Sequence, residues 1–137
     1  MKIVVVDGQG GRLGQKLVET IRTEFPDVDL MAVGTNSMAT ERMLKAGSKT
    51  AATGENALIV ACRTADVIIG PIGIAMADSL MGEISPSMAH AVSSCSAERI
   101  LIPMNMCGTY VAGVSASSSA IVADAMAHLR EKIGVRV

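Results

Sequence analysis

Hydrophobic residues follow two alternating patterns along the chain. Short, continuous runs of β-branched and aliphatic residues, the first over residues 2–6, are typical of strands buried on both faces. Between these runs, apolar residues recur three and four positions apart, as on one face of a helix; Leu13, Leu17 and Ile21 form the first such set. The patterns predict strands over residues 2–6, 28–33, 50–53, 67–69 and 99–102, a shorter sixth strand over 110–114, and helices ending before residue 26 and over residues 38–46, 55–63, 75–80, 86–94 and 118–133.

The alternation of strand and helix indicates one architecture. Parallel strands joined by right-handed helical crossovers, with helices on both faces, form a doubly wound α/β sheet. We therefore predict a Rossmann-like fold with five to six strands in a mostly parallel sheet, as a single domain over residues 1–137. In such a sheet a ligand binds outside the carboxyl ends of the strands, here near the switch point between the first and fourth strands.

The turn after the first strand is rich in glycine and leads into the first helix. A dinucleotide-binding loop requires this context, because glycines let the backbone approach a phosphate and the helix N-terminus offers free N–H groups. We call residues 8–14 the glycine loop, which consists of Gly8, Gln9, Gly10, Gly11, Arg12, Leu13 and Gly14. We expect this loop to bind the phosphate of a small ligand.

Polar turns after the second and fourth strands are expected at the same edge of the sheet. The predicted cofactor-binding residues there are Gly34, Thr35, Asn36, Ser37, Gly70 and Pro71. An NAD site usually has an acidic residue at the end of the second strand, and this strand has none there. Thr35, Asn36 and Ser37, with Arg12 or Arg42 as counter-charge, would instead suit the 2′-phosphate of NADP. The predicted cofactor is NADP or NAD, and another phosphorylated ligand remains the open alternative.

Asp7 immediately precedes the glycine loop and has two interpretations. A carboxylate beside a pyrophosphate is repulsive unless a metal ion or a hydrogen bond offsets its charge. Aspartate before glycine is also a common way to start a turn. The first interpretation argues against a dinucleotide, whereas the second is neutral about the ligand.

Composition and charge narrow the classes of function. Of the 137 residues, 50% are hydrophobic, 18% charged and 1% aromatic, and the net charge is −1. The hydrophobic content excludes intrinsic disorder, and the lack of a basic patch or stacking rings argues against nucleic-acid binding. Because the charges are too few to cover the surface, we expect a homo-oligomer whose interface is the last helix or residues 70–81.

Neither a membrane span nor a secretion signal is predicted. Residues 100–123 carry no charged side chain, but proline, glycine and serine residues interrupt them too often for a spanning helix. The apolar run at the N-terminus is too short for a signal peptide. We therefore expect a cytoplasmic protein.

No residue is assigned a catalytic role from the sequence. Cys62, Cys95 and Cys107 lack C-x-x-C spacing, and His90 and His128 lie far apart, so neither a disulfide framework nor a metal site is predicted. If the chain is an enzyme, an NAD(P)-dependent oxidoreductase is the first hypothesis. The alternative is a non-enzymatic regulatory or assembly module, acting as a homo-oligomer with a vestigial nucleotide loop.

Two resemblances to known families extend this interpretation. Residues 8–17 are similar to the glycine loop of dihydrodipicolinate reductases, which implies that Gly8, Gly10, Gly11, Arg12 and Gly14 match a cofactor-binding loop. The catalytic domain of those enzymes has no counterpart here. Residues 6–11, 32–37, 52–56, 69–73 and 82–86 resemble segments of a family of small, uncharacterised bacterial proteins, a domain of unknown function. That resemblance implies a Rossmann-like fold and no particular chemistry.

Overall fold

The computed structural model describes residues 1–104 and 108–135. Its strands are β1 (Lys2–Asp7), β2 (Asp29–Gly34), β3 (Thr50–Thr53), β4 (Val67–Pro71) and β5 (Glu98–Ile102). Its α-helices are α1 (Arg12–Glu24), α2 (Ser37–Lys45), α3 (Glu55–Cys62), α4 (Pro86–Ser94) and α5 (Ser118–Val135), and a short 3-10 helix spans Ile72–Ala75. None of the helices in this part of the chain is long and apolar enough to cross a membrane.

The five strands form one parallel sheet in the order β3-β2-β1-β4-β5. β1 lies at the centre, where Val5 pairs with Ala32 of β2 on one side and with Ile69 of β4 on the other. The chain therefore winds outward from β1 in both directions, and the order reverses between β1 and β4. The predicted doubly wound α/β fold is confirmed, with five strands.

Each face of the sheet is covered by its own hydrophobic core. Alternate residues of β1 point to opposite faces, so Ile3 and Val5 enter one core while Val4 and Val6 enter the other. The first core is completed by side chains of α1, α2 and α5, and the second by those of α3 and α4. Burial on both faces explains why the strands read as continuous apolar runs.

Two predicted elements do not form. Residues 110–114 contain no strand, and Tyr110 among them is 80% exposed, so no sheet face covers them. The helix predicted over residues 75–80 is absent: the 3-10 helix ends at residue 75, the chain then turns, and Asp78, Leu80 and Met81 all have positive φ angles. Leu80 is nevertheless buried, which shows that its apolar character serves packing in a turn rather than a helix face.

Side chains of the preceding turns cap two of the helices. The Asn36 side chain accepts a hydrogen bond from the N–H of Ala39 at 2.9 Å and caps α2. Ser85 caps α4 in the same way, with Pro86 in the first helical position. At α3 the N-cap residue is Gly54, which has a φ of 102°, and no side chain caps the helix.

Candidate functional site

The glycine loop joins the carboxyl end of β1 to the N-terminus of α1. A tight turn forms in which the N–H of Gly11 donates to the carbonyl of Gly8 at 2.9 Å. Gly11 then takes a left-handed conformation with a φ of 75° and caps the helix. Because β1 is central and adjoins the reversal of strand order, this loop occupies the position where open α/β sheets bind ligands.

Asp7 stabilises the glycine loop through hydrogen bonds to its backbone. Its carboxylate accepts hydrogen bonds from the N–H of Gly8 at 2.8 Å and from the N–H of Gly14 at 2.6 Å. Burial raises the pKa of this carboxyl above its ordinary value, the two N–H donors oppose that increase, and the charge of Glu83 adds to it. These contacts match the interpretation of Asp7 as the residue that starts the turn.

Two glycines of the loop are required by close packing at its base. A Cβ atom on Gly8 would lie 2.4 Å from the hydroxyl of Thr35. A Cβ atom on Gly11 would lie 2.6 Å from the Cα of Ala39, in the first turn of α2. Both positions therefore have a structural reason to be glycine that involves no ligand.

The remaining two glycines contrast with each other. At Gly14 a Cβ would lie 2.6 Å from the sulfur of Met43 and 2.7 Å from the Cβ of Asp7, so the absence of a side chain is again required by packing. At Gly10 nothing lies within 4 Å of an added Cβ, and φ is not positive. Among the loop's glycines, only Gly10 has no explanation within the described part of the fold.

Backbone donors at the start of α1 are available to a ligand. The N–H groups of Gly8, Gly11 and Gly14 are used within the loop. Across residues 1–104 and 108–135, no hydrogen bond engages the N–H groups of Gly10, Arg12 and Leu13. Helix N-termini with unsatisfied N–H groups attract anions.

A cavity of about 520 Å³ adjoins these donors, between the start of α1, the end of β5 and the start of α5. Most of its wall is apolar, and the exposed cations Arg12 and Lys16 stand at its rim. The lining residues are Arg12, Leu13, Lys16, Ile102, Pro103, Met104, Ser118, Ser119, Ile121 and Val122. A pocket with an apolar wall and a few polar groups at one end suits a ligand with a ring and a charged tail.

Glu83 reaches this edge of the sheet from the segment between β4 and α4. Its carboxylate accepts hydrogen bonds from the N–H of Gln9 at 2.9 Å, the hydroxyl of Thr35 at 2.5 Å and the amide of Asn36 at 2.8 Å. Partial burial raises the pKa of Glu83, but the three donors outweigh it and leave the pKa below the ordinary value of 4.5. Glu83 thereby ties the glycine loop to the turn after β2.

These contacts change the interpretation of the turn after β2. Thr35 and Asn36, predicted as donors to a 2′-phosphate, donate to Glu83 instead, while Ser37 is exposed at the start of α2. Sequence reasoning missed Glu83, whose partners Asn36, Thr35 and Gln9 lie 47, 48 and 74 positions away. The available signal in the sequence is the family resemblance of residues 82–86.

At Gly34 and Gly70, neighbouring atoms leave no room for a side chain. A Cβ on Gly34 would lie 2.2 Å from the hydroxyl of Thr40, and one on Gly70 would lie 2.3 Å from the carbonyl oxygen of Val6. Pro71 is buried at the end of β4 and pairs with Ile102 of β5. Packing within the fold therefore explains why positions 34 and 70 are glycine.

Other candidate residues fall into separate places. Glu55 and Asn56 are exposed in the first turn of α3. His128 on α5 is paired with Glu98 at the start of β5, and this pairing raises the pKa of the imidazole. The pair lies away from the glycine loop. Cys107, in the loop after β5, lies outside the described residues.

Comparisons with known proteins agree with this fold. The structure is similar to that of a dodecameric FMN-dependent UbiX-like decarboxylase from Escherichia coli O157:H7, with a TM-score of 0.53 and 19% sequence identity over 98% of this chain and 95% of that one. At that identity the likeness concerns the fold alone. A comparison of the sequence with curated proteins finds no match. The model of a domain of unknown function, DUF3842, matches residues 2–134, and the chain therefore belongs to that family.

Proposed function

We propose that the protein binds a phosphorylated small ligand at the carboxyl edge of the sheet, with the phosphate at the N-terminus of α1. The observation that carries the proposal is the set of unengaged N–H groups on Gly10, Arg12 and Leu13, beside a Gly10 that packing does not require. Phosphate oxygens accept such hydrogen bonds and are favoured by the helix dipole. Arg12 and Lys16 add positive charge at the same place.

The apolar cavity beside the loop suits the body of the ligand. Ile102, Pro103 and Val122 provide aliphatic surface against which a planar ring can lie. The decarboxylase of similar fold is FMN-dependent, which makes FMN a useful probe beside NAD and NADP. If a flavin or nicotinamide binds here, redox chemistry is the first reaction class to assay. The proposed likeness to the glycine loop of dihydrodipicolinate reductases points to the same assay.

Glu83 bears on the choice among nucleotides. The acidic residue that binds ribose hydroxyls in NAD sites usually stands at the end of the second strand. In this protein, the carboxylate of Glu83 lies against Thr35 and Asn36 at that position. A carboxylate there would repel a 2′-phosphate, so we propose that NAD or a mononucleotide such as FMN binds more tightly than NADP.

Thermal unfolding with added nucleotide tests the proposal. The melting temperature of the protein should rise with FMN or NAD, by more than with NADP or with inorganic phosphate alone. In Gly10→Ala the added methyl group meets nothing in the protein but blocks the approach of a phosphate, so the shift should disappear. Gly134→Ala, another position where an added Cβ meets nothing within 4 Å, is the matched control and should keep the shift.

Two results would contradict the proposal. One is the absence of a shift with every nucleotide tested at millimolar concentration. The other is a ligand-induced shift of the same size in Gly10→Ala and in the unaltered protein. A shift retained in Gly10→Ala would show that the ligand binds somewhere other than the start of α1.

A non-enzymatic homo-oligomeric module is the second candidate function. The observation that favours it is Met81, an apolar side chain 93% exposed within the segment predicted to form an interface. The decarboxylase of similar fold is dodecameric. Native mass spectrometry separates the candidates, because it reports both the number of subunits and any retained ligand. An oligomer without ligand, together with no nucleotide-induced shift, would favour the second candidate.

A further inference from the structure

Two cysteines far apart in sequence meet between α3 and α4. Cys62 is the last residue of α3, and Cys95 directly follows α4. Both are free thiols, Cys95 lies near enough to raise the pKa of the Cys62 thiol, and its side chain packs against the core that contains Cys62. Both line one groove of about 630 Å³ on the surface of the molecule.

The two thiols have different access to solvent. Cys62 is only 4% exposed, and its burial, together with the neighbouring Cys95, raises the pKa of its thiol to about 12. Cys95 is half-buried at the wall of the groove. A small molecule in the groove can therefore reach Cys95 directly, whereas Cys62 is reached through Cys95.

A fixed cation stands beside the accessible thiol. Nη1 of Arg99 lies 4.0 Å from the sulfur of Cys95 and donates to the carbonyls of Cys95 at 3.0 Å and Ala97 at 3.1 Å, which hold the guanidinium in place. Arg63 and His90 also line the groove, and none of its lining residues is acidic. In thiol–disulfide exchange a thiolate attacks one sulfur of a disulfide, so the exposed thiol of a pair is the one that meets a disulfide in solution.

We propose that Cys95 and Cys62 are a dithiol site that exchanges with small-molecule disulfides, with Cys95 as the attacking residue and Cys62 as the resolving one. The Cys95 thiolate attacks one sulfur of a disulfide RSSR, whose S–S bond breaks and releases RSH after taking up a proton. The Cys62 thiol then gives its proton to the second leaving thiolate and attacks the Cys95 sulfur. Two thiols and one RSSR become one protein disulfide and two RSH, so two electrons pass from the cysteines to RSSR.

The charge of the groove indicates which disulfides it prefers. The guanidinium of Arg63 at its wall, with no acidic side chain among the lining residues, favours a partner that carries carboxylates. Oxidised glutathione has this character, whereas cystamine is a disulfide of similar chemistry with positive charges. We therefore expect oxidised glutathione to react faster than cystamine, by a ratio that falls as salt is added.

Mass spectrometry of intact protein tests the site in a Cys107→Ser background. After incubation with oxidised glutathione, this protein should lose the mass of two hydrogen atoms, and dithiothreitol should restore it. Adding Cys62→Ala should instead trap one glutathione on Cys95. Adding Cys95→Ala should leave the buried Cys62 unmodified, and circular dichroism of each variant confirms that it is folded.

Three results would overturn the proposal. The first is that both thiols remain free in the Cys107→Ser protein under excess oxidised glutathione. The second is that glutathione stays attached to Cys95 while Cys62 is present, because the resolving step then does not occur. The third is modification of Cys62 in Cys95→Ala at the rate seen for Cys95 in Cys62→Ala. A loss of two hydrogen masses that depends on both cysteines supports it.

Discussion

At the scale of single residues, two glycines of the glycine loop should respond to alanine substitution in opposite ways. Alanine at position 14 places its Cβ 2.7 Å from the Cβ of Asp7, so Gly14→Ala should lower the free energy of unfolding by about 1–3 kcal/mol. Alanine at position 10 meets nothing and needs no unusual φ, so Gly10→Ala should keep or raise stability by roughly 0.5 kcal/mol. Urea unfolding of the two variants checks both values.

An equal loss of stability in the two variants would contradict this assignment. Gly10 would then also have a packing role, and its lack of a side chain would no longer point to a ligand. A stable Gly10→Ala protein is therefore required before its nucleotide binding is interpreted.

Glu83 gives a second prediction at this scale, and it depends on pH. Glu83→Gln removes a charged acceptor shared by Gln9, Thr35 and Asn36, which should lower the free energy of unfolding by about 1–2 kcal/mol at neutral pH. Because the folded-state pKa of Glu83 is lowered, its stabilising contribution is present above pH 4.5 and is lost as the pH falls through the folded-state pKa. Urea unfolding at neutral pH and below pH 4.5 checks this. The difference in unfolding free energy between Glu83→Gln and the unaltered protein should be smaller in acid.

The matched control is Glu19→Gln. Glu19 is exposed and accepts a hydrogen bond from the amide of Gln15 at 3.2 Å, which a glutamine can also accept. Its substitution should change stability little at either pH. A difference between the Glu83→Gln and unaltered proteins that is the same at neutral and acidic pH would show that the charge of Glu83 is not what stabilises the two turns.

At the scale of elements, the N-terminus of α4 offers a direct test. The hydroxyl of Ser85 accepts a hydrogen bond from the N–H of Met88 at 3.2 Å. Ser85→Ala leaves that donor without its cap, and the free energy of unfolding should fall by about 1 kcal/mol, as measured by urea unfolding. Ser94→Ala, at the last turn of the same helix, removes only a bond to the carbonyl of His90 and should change stability less.

The segment between β4 and α4 shows where element prediction from sequence fails. Its apolar residues predict a helix over residues 75–80, but three residues there or adjacent to it take positive φ angles. Those conformations are disfavoured locally, and they persist because Leu80 is buried and Glu83 bonds to two other turns. Helix periodicity carries no information about such contacts, so the error could not be corrected from the segment alone.

At the scale of the whole molecule, the exposed Met81 predicts a self-association surface. Removal of an apolar anchor from an interface typically costs about 2 kcal/mol of binding free energy. Met81→Glu should therefore shift the protein toward smaller species in size-exclusion chromatography with light scattering. Met38→Glu is the control, because Met38 is also exposed, at 57%, but lies on α2 outside the predicted interface.

Two outcomes bear directly on this prediction. An unaltered protein that is monomeric at micromolar concentration would contradict self-association altogether. Equal dissociation by Met81→Glu and Met38→Glu would place the interface elsewhere, with α5 as the remaining predicted surface.

The sequence by itself determined the mostly parallel α/β sheet, the approximate places of its five strands and the position of the glycine loop. These features depend on hydrophobic periodicity and turn residues within a few positions of one another, and such signals are local. Only the tertiary structure decided that Glu83 accepts hydrogen bonds from Thr35 and Asn36, and that Cys62 lies near Cys95. Those contacts join segments that become neighbours when helices cross the sheet, so their geometry depends on the packing of the whole fold.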